Sequence, residues 1–136
     1  MAAVEFLDIS GEIREDSRGF VFFPWQGREQ APPDLLRTFH LISIAPGETR
    51  GNHLHPGHRE YLYTFHGQAV LLWEGPSGAI EERRLSGHHT LVSIPPGLAH
   101  ALKNPGPDIL YLLAWREPAG DAEAPESVPH PLGGGD

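Results

Sequence analysis

Cysteine is absent from the 136 residues, which excludes disulfides and thiolate metal sites and leaves any bound metal to nitrogen and oxygen donors. Positive charge is scarce: 10 Lys+Arg against 18 Asp+Glu give a net charge of −8. Such a surface lacks the basic footprint that nucleic acid or an anionic membrane requires, so neither is an expected partner. A small anionic ligand held by a few well-placed arginines stays compatible with this charge. No apolar run approaches the roughly 18 residues of a membrane-spanning helix, and no basic-then-apolar leader opens MAAVEFLDIS. The expectation is a soluble, cytoplasmic protein. No amphipathic helix and no repeat of fixed period is visible either.

Glycine (16) and proline (14) are abundant, and they separate short apolar segments at intervals of about ten residues, the rhythm of an all-β sandwich or barrel. Strands are expected at Arg37–Ala45, Arg59–Phe65, Gln68–Trp73, Ile80–Leu85, Thr90–Ile94, Ala99–Lys103 and Ile109–Arg116. Phe20–Phe23 adds another after the turn Asp16-Ser17-Arg18-Gly19, and Gln30–Asp34 reads as a loop. Pro56-Gly57, Gly75-Pro76-Ser77-Gly78, Pro95-Pro96-Gly97 and Asn104-Pro105-Gly106-Pro107 supply turns. Residues 1–116 form one domain on this reading. Residues 117–136, EPAGDAEAPESVPHPLGGGD, carry too little apolar surface to offset the entropy of ordering. They are expected as a flexible tail, with any ordered part leaning on a neighbouring surface.

The stretch GETRGNHLHPGHREYLYTFHG, Gly47 to Gly67, holds four histidines and two glutamates. Neutral imidazole is the commonest side-chain metal ligand, and a carboxylate can complete such a site. Positions i and i+2 of an extended strand share a face, so His53 and His55 can reach one ion. Pro56-Gly57 then turns the chain, and Glu60 begins the next strand, where its carboxylate can point into the same space. His100 follows the Pro95-Pro96-Gly97 turn, and a closed barrel could bring it opposite. Read alone, the stretch also suits a solvated, histidine-rich turn.

The spacing Gly47-x5-His53-x-His55-x4-Glu60-x6-Gly67 resembles the first motif of the cupin superfamily. Pro95-x-Gly97-x2-His100-x3-Asn104 resembles the core of the second, although the upstream glycine of that motif is displaced to Gly87, with His89 in its usual place. The resemblance implies a double-stranded β-helix, the cupin jelly-roll barrel. It also implies one divalent ion held by His53, His55, Glu60 and His100. A mixed nitrogen and oxygen set of this kind suits Zn, Fe, Mn, Ni or Co.

Further fragments are similar to nucleotide-sugar-modifying cupins. DSRGF (Asp16–Phe20) resembles a segment of the dTDP-sugar 3,5-epimerases. TRGNHLH (Thr49–His55), IPPGLAHALKN (Ile94–Asn104) and LLAWREP (Leu112–Pro118) resemble the metal-binding cupin domain of capsular-polysaccharide sugar epimerase/reductases. This implies a keto-sugar epimerase or isomerase of polysaccharide biosynthesis, a nucleotide-sugar substrate, and substrate contacts from Arg18 and Arg50, since guanidinium forks suit a diphosphate. The chemistry would be removal and return of a proton beside a ketone, with a base near neutral pKa and a cation or donor stabilising the enolate. In metal-free relatives the base is the histidine matching His53; recruited to an ion, His53 is not free for that role, and LLWEG (Leu71–Gly75) lacks a clear supporting aspartate. His40 and Tyr63 are the remaining catalytic candidates, each with a packing role as its alternative. His88-His89 reads as a surface pair. A homodimer is the expected form, because sheet edges need covering. Two other readings use the same ligands: a metal-dependent dioxygenase, and a non-catalytic small-ligand-binding cupin.

Overall fold

The computed structural model describes residues 3–25, 35–119 and 125–132. Alternation within single strands explains the architecture. In β6 (His58–His66), Glu60, Leu62 and Thr64 are buried toward one side, while Tyr61, Tyr63 and Phe65 stack on the other. In β11 (Leu110–Pro118), Leu110, Leu112 and Ala114 join the Leu62 side, and Leu113 and Trp115 join the tyrosine side. A period of two with both faces apolar means that the sheet is covered twice.

Two five-stranded antiparallel sheets result. The first has the order β1-β9-β6-β11-β4, with β1 at Glu5–Asp8, β4 at His40–Ile44 and β9 at Thr90–Ile94. The second has the order β12-β5-β10-β7-β8, with β5 at Thr49–Leu54, β7 at Gln68–Glu74, β8 at Ile80–Ser86, β10 at His100–Lys103 and β12 at Val128–Pro129. Their facing sides enclose Ile44, Leu62, Leu71, Leu85, Val92, Ile94, Leu102, Leu110 and Leu112, all at most 5% exposed. A separate hairpin, β2 (Ile13–Asp16) with β3 (Gly19–Phe22), lays Ile13, Phe20 and Phe22 over Tyr63, Leu91 and Trp115 outside the barrel. This is the double-stranded β-helix of the cupins.

The strands expected from sequence are present with ends shifted by one or two residues, with one larger exception. Arg37 and Thr38 belong to a helical turn, α1 (Leu35–Thr38), so β4 begins only at His40. Thr38 is held there by its hydroxyl, which donates to the Arg116 carbonyl and accepts from the Arg116 N–H. The expected loop Gln30–Asp34 lies outside the described residues. β1, β2 and β12 were not expected, and β5 (Thr49–Leu54) only as an extended stretch around His53; β1, β2 and β12 are each at most four residues long and mostly exposed, too short to show a period.

Residues 125–132 lie against the barrel instead of extending from it as a free tail. Val128 and Pro129 pair with Leu54 and His53, and Leu132 is buried with Ala99 and Ala101, with Leu54 and Leu72 packed alongside. Backbone pairing supplies what the poor apolar content of the segment does not.

Candidate metal centre and its cavity

One irregularity aims the first histidine. Opposite β10, His100 pairs with His53 while Ala101 pairs with Gly51, so Asn52 is an extra residue in β5. Asn52 has φ of 57° and Gly51 of 107°. Asparagine is among the few side chains that visit the left-handed region, and glycine does so freely. A Cβ on Gly51 would stand 3.0 Å from the Ala101 Cα and from the His100 carbonyl oxygen. The bulge is fixed from outside by the C-terminal segment: His130 N–H donates to the Asn52 carbonyl at 2.7 Å, and Leu132 N–H to its side-chain oxygen at 3.2 Å. Bulges of this sort re-aim side chains beside functional sites.

His53, His55, Glu60 and His100 converge. One ligand atom from each lies within 4.8 Å of all the others. His55, Glu60 and His100 are only 2–4% exposed, and His53 is half-buried at the mouth. His100 Nε2 is 2.9 Å from Glu60 Oε1, and His55 Nε2 is 3.4 Å from Glu60 Oε2. The other ring nitrogens are already committed: His100 Nδ1 donates to the Leu98 carbonyl at 2.9 Å and His55 Nδ1 to the Glu126 carbonyl at 2.8 Å. A neutral imidazole that donates through Nδ1 carries its lone pair on Nε2. Two lone pairs therefore face one buried carboxylate, an arrangement that asks for a cation between them. His55 Nε2 accordingly has no hydrogen-bond partner although it is buried. The donor set fits a first-row divalent ion, and the backbone carbonyls behind the rings are the usual outer support of such ligands.

The electrostatics agree. Burial, and then the neighbouring His100 and His55, push the His53 pKa down to about 4, so its ring is neutral and available as a ligand at pH 7. Burial alone would raise the Glu60 carboxyl, but the neighbouring His100 and His55 outweigh it and hold Glu60 well below its ordinary value.

A small cavity of about 70 Å³ opens over the cluster. His40, Arg50 and Arg116 line it with His53, Glu60 and His100, above a floor that includes Ile44, Leu62 and Leu112. His40 donates through Nδ1 to the Thr38 carbonyl at 2.7 Å, which leaves its Nε2 as a lone-pair nitrogen. Arg50 Nε donates to the Ser43 carbonyl at 3.0 Å.

Arg116 escaped the sequence reading. Its Nε lies 3.2 Å from Glu60 Oε2 and its Nη1 2.7 Å from Glu126 Oε1. The signal was available, since Arg116 falls on the same alternation as Leu112 and Ala114.

Two candidates are not brought to the cavity. Tyr63 lies on the opposite face of β6, where its hydroxyl donates to the His88 carbonyl at 2.8 Å and its ring packs 4.9 Å from Phe22. Alternation places it outside whenever Glu60 and Leu62 are inside. Arg18 sits on the exposed β2–β3 turn with its guanidinium on Asp16, outside the lining of this cavity.

The model of the polysaccharide biosynthesis C-terminal domain family matches residues 15–128, nearly the whole chain. The chain belongs to this family. No curated protein sequence matches it. Among solved structures, this polysaccharide biosynthesis C-terminal domain resembles the capsular polysaccharide assembling protein CapF of Staphylococcus aureus. The two share 26% identity at a TM-score of 0.58, over 68% of this chain and 26% of CapF. The chain thus spans about a quarter of that protein's length. The sugar 3,4-ketoisomerase QdtA of Thermoanaerobacterium thermosaccharolyticum, solved with TDP, is 17% identical at a TM-score of 0.71, over 93% of this chain and 88% of QdtA. The TDP-quinovose 3,4-ketoisomerase WlaRB of Campylobacter jejuni is 18% identical at a TM-score of 0.71, over 96% and 95%. At these identities the two ketoisomerases establish the cupin fold of the family member described here. Among its described residues no helix is long and apolar enough to cross a membrane.

Proposed function

We propose that this chain is a metal-dependent isomerase or epimerase domain that acts on a nucleotide-linked keto-sugar in polysaccharide biosynthesis. The observation that carries the reading is one cavity holding a lone-pair imidazole, His40, beside a cluster of three histidines and a glutamate, with two arginines on its wall. Similarity to CapF and to the ketoisomerases supports the substrate class.

His53, His55, Glu60 and His100 would hold the ion. When bound, it supplies positive charge against an oxygen on which negative charge develops. His40 takes the proton from the carbon next to the ketone, and the C–H electron pair moves into the carbonyl to form an enolate. Returned to the opposite face of the same carbon, the proton inverts the centre. Returned to the former carbonyl carbon, with the neighbouring hydroxyl proton moving to the other oxygen, it shifts the ketone by one position. Arg50 and Arg116 orient the anionic parts of the substrate, and the apolar floor limits entry to the reacting edge of the sugar. Arg18 serves only substrate that reaches beyond this cavity. The domain is taken as residues 1–116 with an appended C-terminal segment, and the working form as a homodimer.

A QdtA variant has been solved with TDP-4-keto-6-deoxyglucose, which makes that compound the first probe. Incubation in deuterated water, followed by NMR, should show deuterium entering next to the ketone. His40→Gln should slow the exchange by about 10²-fold or more. Neither binding nor exchange across TDP- and UDP-linked keto-sugars would reject the proposal. Oxygen uptake without exchange would move the assignment to a dioxygenase.

A further inference from the structure

A second convergence of ligating groups lies outside the barrel, on residues that the proposed reaction does not use. Glu15 on β2 faces His88 and His89 in the turn between β8 and β9. His88 Nε2 is 2.9 Å from Glu15 Oε2, and His89 Nε2 is 3.0 Å from Glu15 Oε1. The three ligand atoms lie within 4.8 Å of one another. We propose that Glu15, His88 and His89 form a second divalent-cation site, one that fastens the β2–β3 hairpin to the barrel.

The site is built rather than incidental, because contacts other than the ligation hold each histidine in place. The His88 ring stacks on Phe20 at 3.9 Å with an interplanar angle of 7°. Its carbonyl accepts the Tyr63 hydroxyl, and the His89 carbonyl accepts the Ile9 N–H at 2.9 Å. Gly87, at φ of 75°, turns the chain so that the two successive imidazoles lie side by side, 4.3 Å between centroids. Both rings present the same nitrogen to one carboxylate. An ion entering there replaces two N–H protons and gains two imidazoles and a carboxylate, with its remaining positions open to water. This two-nitrogen, one-carboxylate set suits zinc, cobalt or nickel. The net charge of −8 favours cation approach. Partial exposure of all three residues makes this the weaker of the two sites.

The test separates the sites by deleting the first. Protein carrying His53→Ala and His100→Ala is titrated with Zn²⁺ alone, with stoichiometry read by equilibrium dialysis and stability by thermal unfolding. One equivalent should remain and should raise the unfolding temperature. Adding Glu15→Gln or His89→Ala should abolish the zinc-dependent shift and weaken binding at least about tenfold. Glu15→Gln retains hydrogen-bonding capacity, so this arm stays readable if loss of a histidine disturbs folding. If the barrel deletion disturbs folding, the unaltered chain is titrated instead, and Glu15→Gln should lower its stoichiometry from two equivalents to one. Zinc binding of unchanged strength after these substitutions would overturn the proposal. So would the absence of any zinc effect before them, which would leave a clamp made of hydrogen bonds alone.

Discussion

The main-chain carbonyl of Glu126 accepts a hydrogen bond from Nδ1 of His55 at 2.8 Å, across 71 positions of sequence. A residue of the C-terminal segment therefore sets the tautomer of a buried candidate ligand. The Glu126 carboxylate also meets Arg116 at 2.7 Å, and Arg116 in turn meets Glu60. One segment thus touches the support of two ligands at once.

Ending the chain after Ala119 should weaken metal binding by about 10–100-fold, the usual consequence of losing outer support of a ligand. The same deletion uncovers Leu54, Leu72 and Ala101 and should lower stability. Competition with a chromophoric chelator, beside urea unfolding, measures both effects. Unchanged affinity would mean that His55 keeps its orientation without Glu126.

Arg116→Met should destabilise the metal-free protein by about 3 kcal/mol, because it leaves the Glu60 carboxylate buried beside lone pairs. The loss should shrink when metal is added, since the ion then neutralises the same carboxylate. Thermal unfolding with and without metal gives the comparison. Equal losses in the two states would show that Arg116 and the ion do not share Glu60.

Gly51→Ala forces a Cβ against β10 at a φ of 107°. The strain should cost about 1–2 kcal/mol and displace His53, lowering metal affinity as well as stability. A change in stability with affinity intact would separate the bulge from the site.

Burial pushes both Tyr61 and Tyr63 up to about 12, helped by hydrogen bonding to Glu117 for Tyr61 and by the charge of Glu15 for Tyr63. An unfolded tyrosine ionises near about 10, so above that pH the unfolded chain loses protons that the folded chain keeps. The stability these residues contribute is full below pH 10 and falls as pH rises through 12. Tyrosinate absorbance and unfolding measured across that window test the sign. Ionisation of all three tyrosines near pH 10 in the folded protein would contradict it.

Much of this was legible in the sequence because period and spacing are local. The glycines and prolines that separate short apolar segments announced a β barrel, and the cupin-like spacing named four residues that the fold gathers. Of the two roles open to Tyr63, the structure favours packing, because a period of two sends it to the side opposite Glu60 and Leu62. Arg116 and Glu126 were missed because their roles depend on pairing distant strands and on a segment whose composition reads as unfolded. The Asn52 bulge was likewise hidden, since an extra residue in a ladder shows only against its partner strand. The His88–His89 pair looked like ordinary surface until β2 supplied Glu15.

The central claim is that His53, His55, Glu60 and His100 hold one divalent ion. It is tested most directly by anomalous scattering, at the metal's absorption edge, from crystals of protein purified without a metal-affinity column. The account predicts a peak about 2.0–2.2 Å from an imidazole nitrogen of each histidine and from a Glu60 oxygen. A metal-supplemented crystal with no peak between those four side chains would contradict it.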